Sequence, residues 1–210
     1  MELSVVTGCL AGAISQDPED VIQGGDVLNK QASASMEGFL QANAPPETEV
    51  LGGPCEESSW IRPPVDFLKC NWDASIDGRS KKMGMGLVFR DSSGGFRAAA
   101  ISNIPYITDP EIAESIAARW VVSMCAKLGF QSVVFERDAL VVVNSLLSPS
   151  PCWRICGGIV EDTRRMLHQF NSWTVKHARR SANQVAYFLA KHALSLVQDI
   201  VWRGECPSFL

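Results

Sequence analysis

Three carboxylates stand where a carboxylate is either costly or useful. Asp73 sits inside an otherwise apolar strand, in Leu68-Lys69-Cys70-Asn71-Trp72-Asp73, and a carboxylate inside a central strand is unfavourable unless it is paired or bound to metal. Glu114 lies one turn into a long helical pattern, and Asp138 follows Glu136-Arg137 where a strand gives way to a helix. Acids gathered from such positions repel one another unless a hard cation neutralises them, and oxygen donors suit Mg²⁺. Two such ions about 3.5–4 Å apart activate water and stabilise a leaving oxygen in phosphodiester cleavage. Each acid also has a plainer use: Asp138 as a helix cap, Glu114 as a solvated helix residue, Asp73 as the partner of a nearby Lys or Arg.

The elements that must position these acids alternate cleanly. Strand signals run over Phe67 to Ile76, Gly84 to Arg90 and Phe96 to Asn103, with Asp91-Ser92-Ser93-Gly94-Gly95 as a hairpin turn. Thr108-Asp109-Pro110-Glu111 opens a helix with a capping side chain, a first-turn proline and a first-turn acid, and Gly129 closes it. A strand at Ser132 to Glu136 precedes helices at Asp138 to Leu147 and Ile155 to Phe170. A strand at Trp173 to His177 then precedes a helix at Ala182 to Val197. The order βββ-α-β-α-α-β-α predicts an α/β domain. Its sheet has five strands, mixed, with the first three antiparallel and helices on both faces. Trp72, Trp120, Trp153, Phe170 and Trp173 fall on apolar stripes and are expected in the core.

Composition divides the chain. Residues 1–64 lack a sustained period, are rich in Ala, Gly, Ser, Gln and acids, and end at Pro63-Pro64; they read as a disordered acidic leader with a short helix near Ala32 to Ala42. Residues 65–198 form the domain and 199–210 a tail. The net charge of −4 hides an asymmetry: residues 1–65 carry −8 and residues 66–210 carry +4. A mildly basic domain suits phosphate contacts, so the overall acidity does not exclude a nucleic-acid partner. Seven irregularly spaced cysteines read as reduced thiols. With no signal peptide and no apolar run of membrane-spanning length, an intracellular place, nuclear or cytoplasmic, is expected.

Several spaced segments, in order, make the sequence familiar. Lys69-Cys70-Asn71-Trp72-Asp73-Ala74-Ser75, Gly84 to Asp91, Ala113-Glu114 with Ala117, Leu128-Gly129, Val133 to Ala139 and Asn183 to Ala190 together resemble the type 1 ribonuclease H family. The likeness is strongest to the reverse-transcriptase-like domains of plant retroelements and their host-gene relatives, and Asp199-Ile200-Val201-Trp202 is similar to the same branch. The resemblance covers about two-thirds of the chain and implies cleavage of RNA in RNA–DNA hybrids by two Mg²⁺ ions, with Mn²⁺ as a substitute. It matches Asp73 to the acid that bridges both metals and Glu114 and Asp138 to ligands of one of them. His177, six residues before Asn183, matches the histidine that assists proton transfer or product release.

The fourth acid of the family falls on Tyr187. A phenol with a pKa of roughly 10 is neutral at pH 7 and a poor Mg²⁺ ligand. Relatives vary here, often carrying histidine. The resemblance also implies polar contacts across the minor groove of a hybrid, for which Asn71, Ser75, Asn103 and Asn183 are candidates, with Lys81-Lys82 and Arg179-Arg180 as phosphate contacts. Three functions follow as expectations: a metal-dependent hybrid endoribonuclease, a catalytically weakened or inactive nucleic-acid-binding remnant of a retroelement, or a protein-interaction module worked by the acidic leader, whose partner the sequence does not name.

Overall fold

Strand β1 (Leu68–Asp77) is the hub of the sheet: it pairs antiparallel with β2 (Lys82–Arg90) on one side and parallel with β4 (Ser132–Arg137) on the other. The computed structural model describes residues 60–207 and residue 210. The helix expected near Ala32 to Ala42, and most of the leader, lie outside them. β3 (Phe96–Pro105) adds antiparallel to β2, β5 (Ser172–His177) adds parallel to β4, and with β6 (Ile200–Arg203) at the far edge the order is β5-β4-β1-β2-β3-β6.

The sixth strand corrects the expected count of five. β6 (Ile200–Arg203) pairs antiparallel with Ala98–Ile101 of β3. Four residues carry no readable alternation of their own, and what makes them a strand is the open row of donors and acceptors along β3.

Helices cover both faces, as expected. On one face α1 (Pro110–Lys127), α2 (Leu140–Leu147) and α3 (Gly157–Leu167) supply Val121, Val143 and Val160 to a core that includes Cys70, Trp72, Leu87 and Phe135. On the other, α4 (Gln184–Ala193) lays Phe188, Leu189 and Ala193 against Val88, Ile101 and Ile200. Contact between α4 and β2 is backbone-close. A Cβ at Gly86 would stand 2.4 Å from Ala190 N, and one at Gly84 only 2.2 Å from Ala190 O. Only glycine lets the helix settle there, which gives Gly84-Met85-Gly86 its structural meaning.

Local signals act as their chemistry dictates. Asp109 Oδ1 accepts from Ile112 N at 2.9 Å, Pro110 opens α1, and Gly129 turns the chain at φ +77°. Asp91 Oδ1 accepts from Ser93 N and Gly95 N at the hairpin. The last two helices are shorter than expected. α3 starts at Gly157, leaving Trp153 91% and Ile155 90% exposed in the loop before it, so Trp153 is not a core residue. Gly157 is pinned there because a Cβ would meet Cys152 O at 2.0 Å. Residues 180–182 form a 3₁₀ turn, and Asn183, at φ −111°, breaks it from α4. The other four aromatics are buried or half-buried as expected.

Ahead of β1, Trp60 packs onto the sheet. Its Nε1 donates to Asn71 Oδ1 at 2.7 Å, and Arg90 and Lys69 lie 4.4 and 5.3 Å from its ring centre. Lys69 pairs with Glu136 at 2.5 Å in the interior and donates to Ile61 O. The five cysteines among the described residues are free thiols. No helix among the described residues is long and apolar enough to cross a membrane.

Candidate active site

The site forms where β1 and β4 run out beside α1. Asp73 is in the second half of β1, opposite Gly86, at a point beyond the stretch Leu68–Asn71 that β4 covers. Glu114 is the fifth residue of α1, and Asp138 follows the last residue of β4. The topology therefore brings together the three acids that the sequence singled out. α2 has no side-chain cap, its N-cap position being Ala139, so Asp138 is not the capping residue it resembled.

Between the acids lies a side chain that the sequence reading passed over. Arg137 is 2% exposed, its Nη2 is 3.2 Å from Asp73 Oδ1, and its Nη1 forms an ion contact with Glu114 Oε2. Its guanidinium carbon stands 4.4 Å from the centre of the Trp72 ring. Of the plain uses open to Asp73, the structure realises the pairing with a nearby arginine. Glu136-Arg137-Asp138 held the signal: an arginine ending a strand that runs through Val133-Val134-Phe135 enters the interior and needs a carboxylate.

One guanidinium does not neutralise the cluster. Burial pushes the Asp73 carboxyl up to about 6; Arg137 pulls it down, Asp138 pushes it up, and Arg180 pulls it down. Burial likewise pushes Glu114 up to about 7, against the pull of Arg137 and with the push of Asp73 and Asp138. Burial thus outweighs the ion pair at both groups, because a single positive charge is shared among acids that also repel each other.

The remaining positions surround this centre. His177 ends β5, is exposed, and its Nε2 lies 3.2 Å from Asp138 O. Tyr187 sits in the first turns of α4, with the Arg180 guanidinium 4.8 Å and Lys191 Nζ 5.7 Å from its ring centre. Arg179 and Arg180 are exposed on the turn before α4. Asn183 is buried, and its Nδ2 donates to Trp72 O at 3.0 Å, tying α4 to β1. Ser75 is buried opposite Gly84. Asn103 donates to Ala193 O and Leu196 O at the end of α4. Asn71 is buried and held by Trp60.

The likeness that organises this site extends to known proteins. A family model described as reverse transcriptase-like matches residues 71–193. The chain belongs to the reverse transcriptase-like family. No curated protein sequence matches significantly. Among solved structures, ribonuclease H1 of Halobacterium salinarum is 23% identical, with a TM-score of 0.56 over 61% of this chain and 97% of that one. LC11-RNase H1, solved with an RNA/DNA hybrid, is 16% identical, with a TM-score of 0.52 over 61% of this chain and 99% of that one. The foamy viral protease-reverse transcriptase, also solved with a hybrid, is 16% identical, with a TM-score of 0.50 over 72% of this chain and 22% of that one. At these identities the structures establish the ribonuclease H-like fold.

The family and fold raise the question of divalent metal. As placed, the side chains of this family member do not fit a two-ion centre. Asp73 and Glu114 meet on a guanidinium, and Tyr187 offers no carboxylate. Among the described residues, no three His, Cys, Asp or Glu side chains are gathered to hold an ion.

Proposed function

We propose that this domain binds RNA–DNA hybrid or a closely related duplex as a ribonuclease H-type domain whose acid centre is weakened for hydrolysis. One observation carries the binding: the exposed Arg179-Arg180 turn stands beside the acid centre, near enough that the charge of Arg180 acts on Asp73. Two positive side chains at the rim of a site in a stretch, residues 66–210, of net charge +4 suit duplex phosphates. The hybrid-bound proteins of like fold support the choice of ligand. The test is binding of a labelled hybrid to the full chain over a range of salt. Arg179→Ala with Arg180→Ala should weaken binding and lower the salt slope by about 1–2; an unchanged slope would remove these arginines from the interface and the reading with them.

A second reading, metal-dependent endonucleolytic cleavage of the RNA strand, is favoured by His177 beside Asp138 and by three acids close enough to act on one another. It predicts cut RNA with Mg²⁺, or with Mn²⁺, that disappears in Asp73→Asn. Binding without cutting in either metal leaves the first reading standing alone.

A further inference from the structure

The acid centre carries its own counter-charge. Arg137 reaches Asp73 and Glu114 at once, with its head group against Trp72. Its backbone is fixed as well: Arg137 pairs with His177 across β4 and β5, and its carbonyl accepts from Ala178 N at 2.8 Å. An arginine stays charged throughout the physiological range. Its Nε is buried with no hydrogen-bond partner. What holds the guanidinium in the interior is its contact with the two acids, a charge-assisted hydrogen bond to Asp73 and an ion contact with Glu114.

We propose that Arg137 is the resident cation of this centre: it takes the place that a divalent ion would have between Asp73 and Glu114, and the domain engages nucleic acid without metal. An ion entering between the two acids would meet a positive charge already held there by both carboxylates and by the face of the Trp72 ring. The same guanidinium lowers the repulsion that bare carboxylates would exert on an approaching phosphate. The nucleic-acid half of this proposal rests on the function proposed above; the metal half does not.

The first arm uses no nucleic acid. Mn²⁺ binding to the full chain is followed by the loss of the free-ion paramagnetic resonance signal. The wild type and Asp73→Asn should agree within about twofold, whereas Arg137→Ser should bind at least about tenfold more tightly, and Arg137→Ser with Asp73→Asn should lose that gain. Uptake of one Mn²⁺ by the wild type that Asp73→Asn abolishes would overturn the proposal, as would a folded Arg137→Ser that gains nothing. If Arg137→Ser does not fold, the comparison of wild type with Asp73→Asn decides. In the second arm, hybrid binding by the wild type should be the same within about twofold in EDTA and in Mg²⁺. A requirement for Mg²⁺ overturns the proposal. No binding in either condition removes the proposed function and leaves the Mn²⁺ result to stand by itself.

Discussion

The Arg137 guanidinium lies 4.4 Å from the centre of the Trp72 ring, and the side chain that pairs with Asp73 is thereby also part of the core. Its removal has two effects in one place, the loss of packing against an aromatic ring and the exposure of a buried carboxylate pair. Without divalent metal, Arg137→Ala should lower stability by about 3 kcal/mol, the scale for breaking a buried ion pair. Denaturant unfolding measures it. A loss below about 0.5 kcal/mol would mean the pair is not formed in solution.

The carboxyls of Asp73 and Glu114, raised to about 6 and about 7, give stability a particular pH dependence. A raised carboxyl keeps its proton where the unfolded chain has released it, so the native state binds more protons between about pH 4 and 7. Their contribution is complete below the unfolded values and is lost as pH rises through 6 and 7. The effect is on the order of 3 kcal/mol for each of the two groups. Unfolding at several pH values should show this slope, and Asp73→Asn with Glu114→Gln should flatten it. The same slope in the double variant would place its origin elsewhere.

Gly86→Ala forces α4 from β2, because the added carbon meets Ala190 N at 2.4 Å and that atom belongs to a helix backbone that yields little. The expected loss is about 3 kcal/mol, at the upper end for overpacking. Since the Arg179-Arg180 turn leads directly into α4, hybrid binding should weaken along with the melting temperature. An unshifted melting temperature would refute the close approach.

Tyr187→Asp places a carboxylate where the resemblance puts the family's fourth acid but leaves Arg137 in the centre. By itself the change should yield no cleavage of a labelled hybrid in Mg²⁺, whereas together with Arg137→Ser it should yield cut RNA. Cleavage by the single variant would show that the tyrosine alone had been limiting.

Trp60 anchors the chain ahead of β1 through Asn71, Arg90 and Lys69. A chain beginning at residue 66 should therefore be less stable than one beginning at residue 59, by about 1–2 kcal/mol for a lost aromatic contact with a cation and a hydrogen bond. Equal unfolding midpoints would make the contact incidental.

Much of this was legible because local chemistry and global fold agree. Asp109-Pro110, Gly129 and Asp91 to Gly95 act within a few residues, so their caps and turns were readable, and the acids at Asp73, Glu114 and Asp138 followed from the order of the elements. What escaped depends on partners far along the chain. Arg137 gained its meaning from Asp73, 64 residues away. Asn103 and Asn183, polar and in suggestive positions, are held by the ends of α4 and by the carbonyl of Trp72. Trp153 was misread for the opposite reason: a large aromatic residue looks like core, yet this one stands 91% exposed in the loop ahead of α3.

The short β6 sets an order on the making of the sheet. Residues 98–101, Ala-Ala-Ala-Ile, are fully buried and find their outer partners only in residues 200–203. As the chain leaves the ribosome, about a hundred residues are synthesised while that apolar edge stays bare, a template for strands of any other chain nearby. A chain clipped before residue 200 would present that bare edge to other chains even with its acid centre fully assembled.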